Sequence, residues 1–314
     1  MPGRTSEDDI VVRPPYDGRM ADAPLDASGV RPSSRALVLA GGGLVGIGWE
    51  TGVVLGLADG GLPLDTWDPI IGTSAGSVVG AALGTSDGLE RLAHTDWVGY
   101  GRELATYMAG LDRQAVARID ALWFGSPDGA DQATRAEIGR LARAAVTGPS
   151  ERFERALASI LPDRAWPAAL VITAVDAEDG SLRRFDVRSG VPLVKAVAAS
   201  CAVPGVFPPI EIGGRLYVDG GVRSGSGLDL ALGCRWIIGV APTRQDGHGE
   251  RQLTVETAVL ETAGATVRLV RPGPEADAIF DVDSLDVARL PEAVRVGRSV
   301  GRAAAEAARA EMGL

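Results

Sequence analysis

The apolar positions of this chain fall into short unbroken runs and helical repeats, and the two kinds alternate. Ala36-Leu37-Val38-Leu39-Ala40 is a run without polar interruption, as in a strand buried on both faces. Gly41-Gly42-Gly43-Leu44-Val45-Gly46 follows at once, and a helical pattern runs from Ile47 to about Asp59. Pro63 to Trp67 is a connection, residues 69 to 72 form a second strand, and a helix of small residues begins just past Ser74. Strand, glycine loop, helix, strand, turn, helix is the order of an α/β protein with a mainly parallel sheet.

From about Asp87 to Arg164 the apolar residues recur at helical spacing and strand patterns are absent. Arg113 to Trp123 and Asp131 to Val146 read as amphipathic helices. This helical insertion is either a cap over an active site or an ordinary outer layer. Trp123-Phe124-Gly125 is an apolar turn, expected to be a satellite core contact, with the lining of a lipid entrance as the alternative. Ala169 to Val175 is a strand, and Asp179-Gly180 a hairpin turn before Ser181 to Val187. Pro192 to Cys201 is a helix closed by Pro204, and Arg215 to Val218 a strand that ends in Asp219-Gly220-Gly221. Trp236 to Ala241 and Ala265 to Val270 are further strands, and Pro291 to about Met312 is a helix with proline in its first turn. Residues 1–34, rich in Pro, Asp, Arg and Ser, read as a disordered or loosely attached tail. That leaves 35–314 as one domain.

Composition narrows the function classes. Thirty-one basic against 41 acidic residues leave a formal charge of −10, which argues against nucleic acid as a partner. The same excess argues against docking to anionic lipid through a basic patch, so contact with a membrane surface is at most transient. Cys201 and Cys234 have no metal-ligand spacing and are expected buried and reduced. Met1 to Met20 lacks an apolar leader, so the expected location is the cytoplasm, peripheral to a membrane at most. Oligomeric state leaves no mark in the sequence. Residues 69–86 carry no charge, and Gly72, Gly76, Gly80 and Gly84 recur every four residues, as in packed membrane helices. A proline, two threonines and three serines are poor hydrocarbon solutes and the length is marginal, so a soluble helix packed closely on a sheet is expected instead.

Gly72-Thr73-Ser74-Ala75-Gly76 fits G-x-S-x-G, the strand-to-helix turn that lifts a serine hydroxyl out as a nucleophile. An attacking serine needs a base, donors for an oxyanion and a shaped pocket. The amides of Gly41, Gly42 and Gly43, after one strand and before a helix, are candidate donors. Gly41 to Gly46 also fits G-x-G-x-x-G, but the next strand ends in Gly72-Thr73-Ser74 rather than the acidic residue that a dinucleotide ribose requires. The order Ser74, Asp219, His248 matches α/β-hydrolases, yet only two strands precede this serine and His248 sits in a polar loop. His94 reads as a surface helix residue. Asp219 ends a strand and is followed by two glycines, so it is the better base; the alternative is that Asp219-Gly220-Gly221 is simply a turn.

Together these segments resemble the patatin-like phospholipases. That family carries a glycine-rich oxyanion loop, a G-x-S-x-G elbow and a D-G-G or D-G-A motif in this order, matched by Gly41 to Gly46, Gly72 to Gly76 and Asp219 to Gly221. Ala199 to Pro209 is similar to the family's segment before the aspartate strand, and the resemblance covers roughly Arg35 to Ala241. It implies a three-layer α/β/α sandwich in which Ser74 is the nucleophile, Asp219 the proton acceptor and Gly41–Gly43 the oxyanion hole. It also implies a lipid or other acyl-ester substrate, with no metal or organic cofactor. Acyl transfer to another alcohol, and a catalytically weak member that binds lipid or a protein, are the alternatives. The chain departs from the family pattern at Ala40 and Val45, where many members carry Asp before the glycines and Arg or Lys after them.

Overall fold

The computed structural model describes residues 31–313, apart from 109, 127–128, 162–165, 244–248 and 281–284. The tail expected over 1–34 therefore lies outside the described residues up to residue 30. Residues 31–34 are not tail but the start of β1 (Arg31–Leu39). Arg31 pairs with Cys234, and the Ser34 hydroxyl, buried with its residue, accepts the Arg235 amide at 2.8 Å. A backbone ladder needs no apolar side chains, which is why this polar stretch reads as a tail in the sequence.

β1 leads through the glycine loop into α1 (Gly43–Asp59), which returns to β2 (Ile70–Gly72), parallel to β1. α2 (Ala75–Ala82) leaves directly from the serine turn. Five helices follow, as the periodicity predicts: α3 (Gly88–Ala93), α4 (Trp97–Met108), α5 (Arg113–Trp123), α6 (Gln132–Ala144) and α7 (Ser150–Ile160). The Asp112 and Asp131 carboxylates cap α5 and α6, accepting amides of their first turns. The chain continues through β3 (Leu170–Asp176), β4 (Leu182–Phe185), α8 (Leu193–Ser200), β5 (Ile210–Ile212) and β6 (Arg215–Asp219). It ends with β7 (Cys234–Val240), α9 (Glu250–Thr262), β8 (Thr266–Val270), α10 (Asp277–Phe280) and α11 (Leu290–Met312). β5 and α9 are not predicted.

β3, β2, β1, β7 and β8 form the parallel part of an eight-stranded sheet, to which β4, β5 and β6 add antiparallel pairs. Alternate residues of β1 face opposite layers, as the strand period requires. Leu37 and Leu39 join a core with α1, α2, α4, α7, α8 and α11, whereas Ala36 and Val38 pack towards α9. α5 and α6 cover Val175 and Val218 through Ile119, Ile138 and Ala142. The result is the α/β/α sandwich expected. The helical insertion divides between the two outer layers, and only the α5–α6 end reaches the site described next.

α1 and α11 cross backbone to backbone. A Cβ at Gly52 would overlap the Val294 carbonyl oxygen, and one at Gly301 would overlap that of Val53. Gly76 plays the same part between α2 and the sheet, where a Cβ would collide with the Leu39 carbonyl. Close packing on a sheet, rather than a membrane, accounts for the glycine repeat, and no helix among the described residues is long and apolar enough to cross a membrane.

Candidate active site

β2 delivers the chain to Ser74 at the end of the parallel sheet, and α2 starts at Ala75. Ser74 has φ +50° and ψ −115°, the one non-glycine residue with positive φ among the described residues. Strain of this kind costs roughly 1–3 kcal/mol and persists only where its surroundings enforce it. Here they do. The Ser74 amide donates to the Ser200 hydroxyl at 2.8 Å, and the Ser77 hydroxyl donates to the Ser74 carbonyl at 2.6 Å. The Gly76 amide donates to the Ala40 carbonyl at 2.9 Å. The Cys201 thiol also approaches the Ser74 carbonyl, at 3.3 Å; burial first, then the Asp219 charge, push its pKa up to about 12, so it stays a protonated donor.

Asp219 reaches the same place from the opposite direction. A strand has two edges, and residues 172–175 of β3 give one of them to β4. β2 and β6 therefore share the other, β2 along residues 170–172 and β6, antiparallel, along 174–176. Their C-terminal ends meet at Thr173, whose hydroxyl bonds that of Thr73 at 2.8 Å. A Cβ at Gly220 would overlap the Thr173 hydroxyl, so the residue after the aspartate must be glycine for the ends to close up.

The Asp219 side chain is buried, at 2 % exposure, and accepts the Gly221 amide at 2.7 Å. Burial drives its pKa up to about 7; the Gly221 amide and the neighbouring Ser74 hydroxyl pull the other way. A carboxylate poised near neutrality beside a hydroxyl is what general-base chemistry requires. Trp123 braces the motif, its indole N–H donating to the Gly221 carbonyl at 3.0 Å.

The glycine loop lies against the serine, with Gly41 placed so that a Cβ would stand 3.5 Å from that of Ser74. Its three amides are not equivalent. That of Gly41 donates to the Gly225 carbonyl at 2.7 Å and is no longer available to an oxyanion, which corrects the expectation for this residue. Gly42 and Gly43 open α1, where the first amides have no acceptor in the preceding turn, and neither has a backbone acceptor among the described residues. Val45, in the position where many family members are basic, is fully buried in α1, so no charge reaches the cavity from there.

Ser74, Asp219 and Gly41–Gly43 all line one cavity of about 640 Å³, within the usual range of small-molecule sites. Its remaining lining is mostly apolar and includes Trp123, Phe124, Val206, Phe207 and Phe280. Trp123 packs on the satellite core, as expected, and also borders the cavity. Phe124, stacked on it at 4.9 Å, is 45 % exposed at the cavity, so the entrance reading of this turn has structural support alongside the core reading.

His94 caps α3 with its side chain 79 % exposed, and His248 lies outside the described residues. Sequence reasoning missed Ser200, Ser224, Ser226 and Glu256. Glu256 did leave a signal: it stands in the Leu253–Leu260 stripe of α9, a carboxylate where the helical period calls for an apolar residue.

The patatin-like phospholipase profile matches residues 37–232, more than half of the chain. No curated protein matches significantly. Among solved structures, VipD from Legionella pneumophila aligns over 88 % of this chain and 68 % of its own, with a TM-score of 0.40 and 14 % identity. The type III effector protein ExoU aligns over 90 % of this chain and 56 % of its own, with a TM-score of 0.35 and 14 % identity. ExoU of Pseudomonas aeruginosa in complex with SpcU aligns over 85 % of this chain and 53 % of its own, at a TM-score of 0.29 and 17 % identity. The chain thus spans only a little over half of the ExoU chains. With the three motifs in order on an α/β/α sandwich and the profile across them, this chain belongs to the patatin-like phospholipase family, whose members are lipid acyl hydrolases.

Proposed function

We propose that this protein hydrolyses acyl esters of lipids through a Ser74–Asp219 dyad and an acyl-enzyme. The observation that carries the reading is the meeting of β2 and β6 on one edge of β3, which sets a buried carboxylate with a pKa of about 7 against the elbow serine. Asp219 takes the Ser74 proton as Oγ attacks the acyl carbon, and the Gly42 and Gly43 amides hold the oxyanion. One such donor is typically worth about 3 kcal/mol in the transition state. The bond to the alcohol then breaks, and the leaving oxygen takes the proton from Asp219. A water molecule next gives a proton to the same carboxylate and attacks the acyl-enzyme, and Ser74 recovers its proton as the fatty acid departs. The apolar lining receives the acyl chain, and exposed Phe124 offers a contact to the lipid surface that supplies it.

Labelling with a fluorophosphonate, run beside turnover of a short-chain aryl ester, tests this. The wild type is expected to label and turn over, and Ser74→Ala to do neither while remaining folded. A folded wild type that does neither, yet binds lipid vesicles saturably, would make the protein a binding member of the family.

The pH profile is a second check. The base must be ionised to act, so kcat/KM should climb as pH rises and level off above an apparent pKa of about 7. A profile already level at about pH 5 would remove the desolvated aspartate from the mechanism.

A further inference from the structure

Beside the glycine loop lies a buried polar cluster that the reaction above does not use. Ser224, Ser226 and Glu256 are each less than a tenth exposed and stand against Leu228, Leu230, Leu253 and Leu260. A carboxyl group in such surroundings costs several kcal/mol unless donors converge on it. Three do. The Glu256 carboxylate accepts the Ser224 hydroxyl at 2.8 Å, the Leu228 amide at 3.2 Å and the Ser226 hydroxyl. The Ser224 oxygen in turn accepts the Gly227 amide at 2.9 Å. The turn from 224 to 228 is thereby held from both sides, with Gly225 between the two serines. The Gly225 carbonyl takes the Gly41 amide at 2.7 Å, one residue before the two amides assigned to the oxyanion.

We infer that Glu256 is a positioning residue for the oxyanion hole: through Ser224, Ser226 and the Gly225 carbonyl it sets where the Gly42 and Gly43 amides point. The rival explanation is a brace that merely anchors α9. The two differ in a measurable way. Oxyanion donors act in the transition state and are spaced for oxygen, so misplacing them lowers kcat more than it changes KM and spoils discrimination against sulfur. A brace for α9 affects stability alone.

The inference rests on the dyad reading, and the experiment separates the two. A short-chain aryl ester and its thionoester, with C=S in place of C=O, are compared on wild type, Glu256→Gln and Ser224→Ala. Gln keeps the shape and one acceptor but presents an NH₂ where the turn needs a second acceptor. Glu256→Gln is expected to lower kcat for the oxoester about 10- to 100-fold with KM within about twofold. The ratio of oxoester to thionoester rates should fall towards one, and fluorophosphonate should still attach at Ser74. Ser224→Ala, which does not line the cavity, should move kcat and the ratio in the same direction by less, and it carries the test if Glu256→Gln fails to fold. A folded variant with unchanged kcat and unchanged ratio overturns the positioning role and leaves the dyad standing. A wild type that neither labels nor turns over overturns the dyad and this inference with it.

Discussion

Asp219→Asn is expected to lower ester turnover about 10³- to 10⁴-fold while leaving the protein folded. Asparagine has the shape of aspartate, and its carbonyl can still accept the Gly221 amide, the one backbone bond the carboxylate makes. What is lost is the acceptor for the Ser74 proton. The variant should also be the more stable protein at alkaline pH. The folded pKa of about 7 lies above the ordinary 3.8, so between those values the native state holds a proton that the unfolded chain has released. The stability present below pH 3.8 is therefore lost as pH rises through about 7, and above that the buried charge costs on the order of 4 kcal/mol. Asn carries no such cost. Denaturant unfolding of both proteins at about pH 4 and pH 8.5 reads this directly: little difference at the first, a more stable variant at the second. Turnover close to wild type would move the base to another group, with His248 the first to test.

Gly52→Ala should destabilise the fold by about 3 kcal/mol or more. The sign is informative, because alanine in an exposed helix interior is normally better than glycine by about 1 kcal/mol. At Gly52 the new methyl group would sit on the Val294 carbonyl of α11, and neither backbone can yield without parting the helices. Overpacking therefore outweighs propensity. Val255→Ala on α9, 53 % exposed, provides the contrast and should stay within about 0.5 kcal/mol of wild type. Urea unfolding at constant slope compares the two. A Gly52→Ala protein as stable as wild type would mean that α1 and α11 do not cross as closely as described.

Much of this molecule is legible in its residues because the signals are local. The run Ala36 to Ala40, the elbow around Ser74 and the Asp219-Gly220-Gly221 turn each show in adjacent residues, although distant partners such as Ser200 and Trp123 hold the two turns in shape. Their order along the chain is enough to suggest the family. The helices from 88 to 160 follow from periodicity alone, and the Asp112 and Asp131 caps mark where two of them begin. Local reading fails where backbone pairing replaces side-chain pattern. In the polar stretch 31–34, Arg31 pairs with Cys234 and Ser34 takes the Arg235 amide, and the three-residue β5 is too short to show a period.

Relations between distant segments were decided by tertiary structure. Nothing near Asp219 says that it meets Ser74; that depends on β4 occupying one edge of β3, so that β2 and β6 must share the other. The pKa of Asp219 follows from the burial this produces. The Gly41 amide is as good a donor as its neighbours until the Gly225 carbonyl is brought against it. Local residues mark where each turn falls, but which turns face one another is set by strand pairing and by the core that covers the sheet. The proposed Ser74–Asp219 pair, at the ends of β2 and β6, comes together only after both strands have formed.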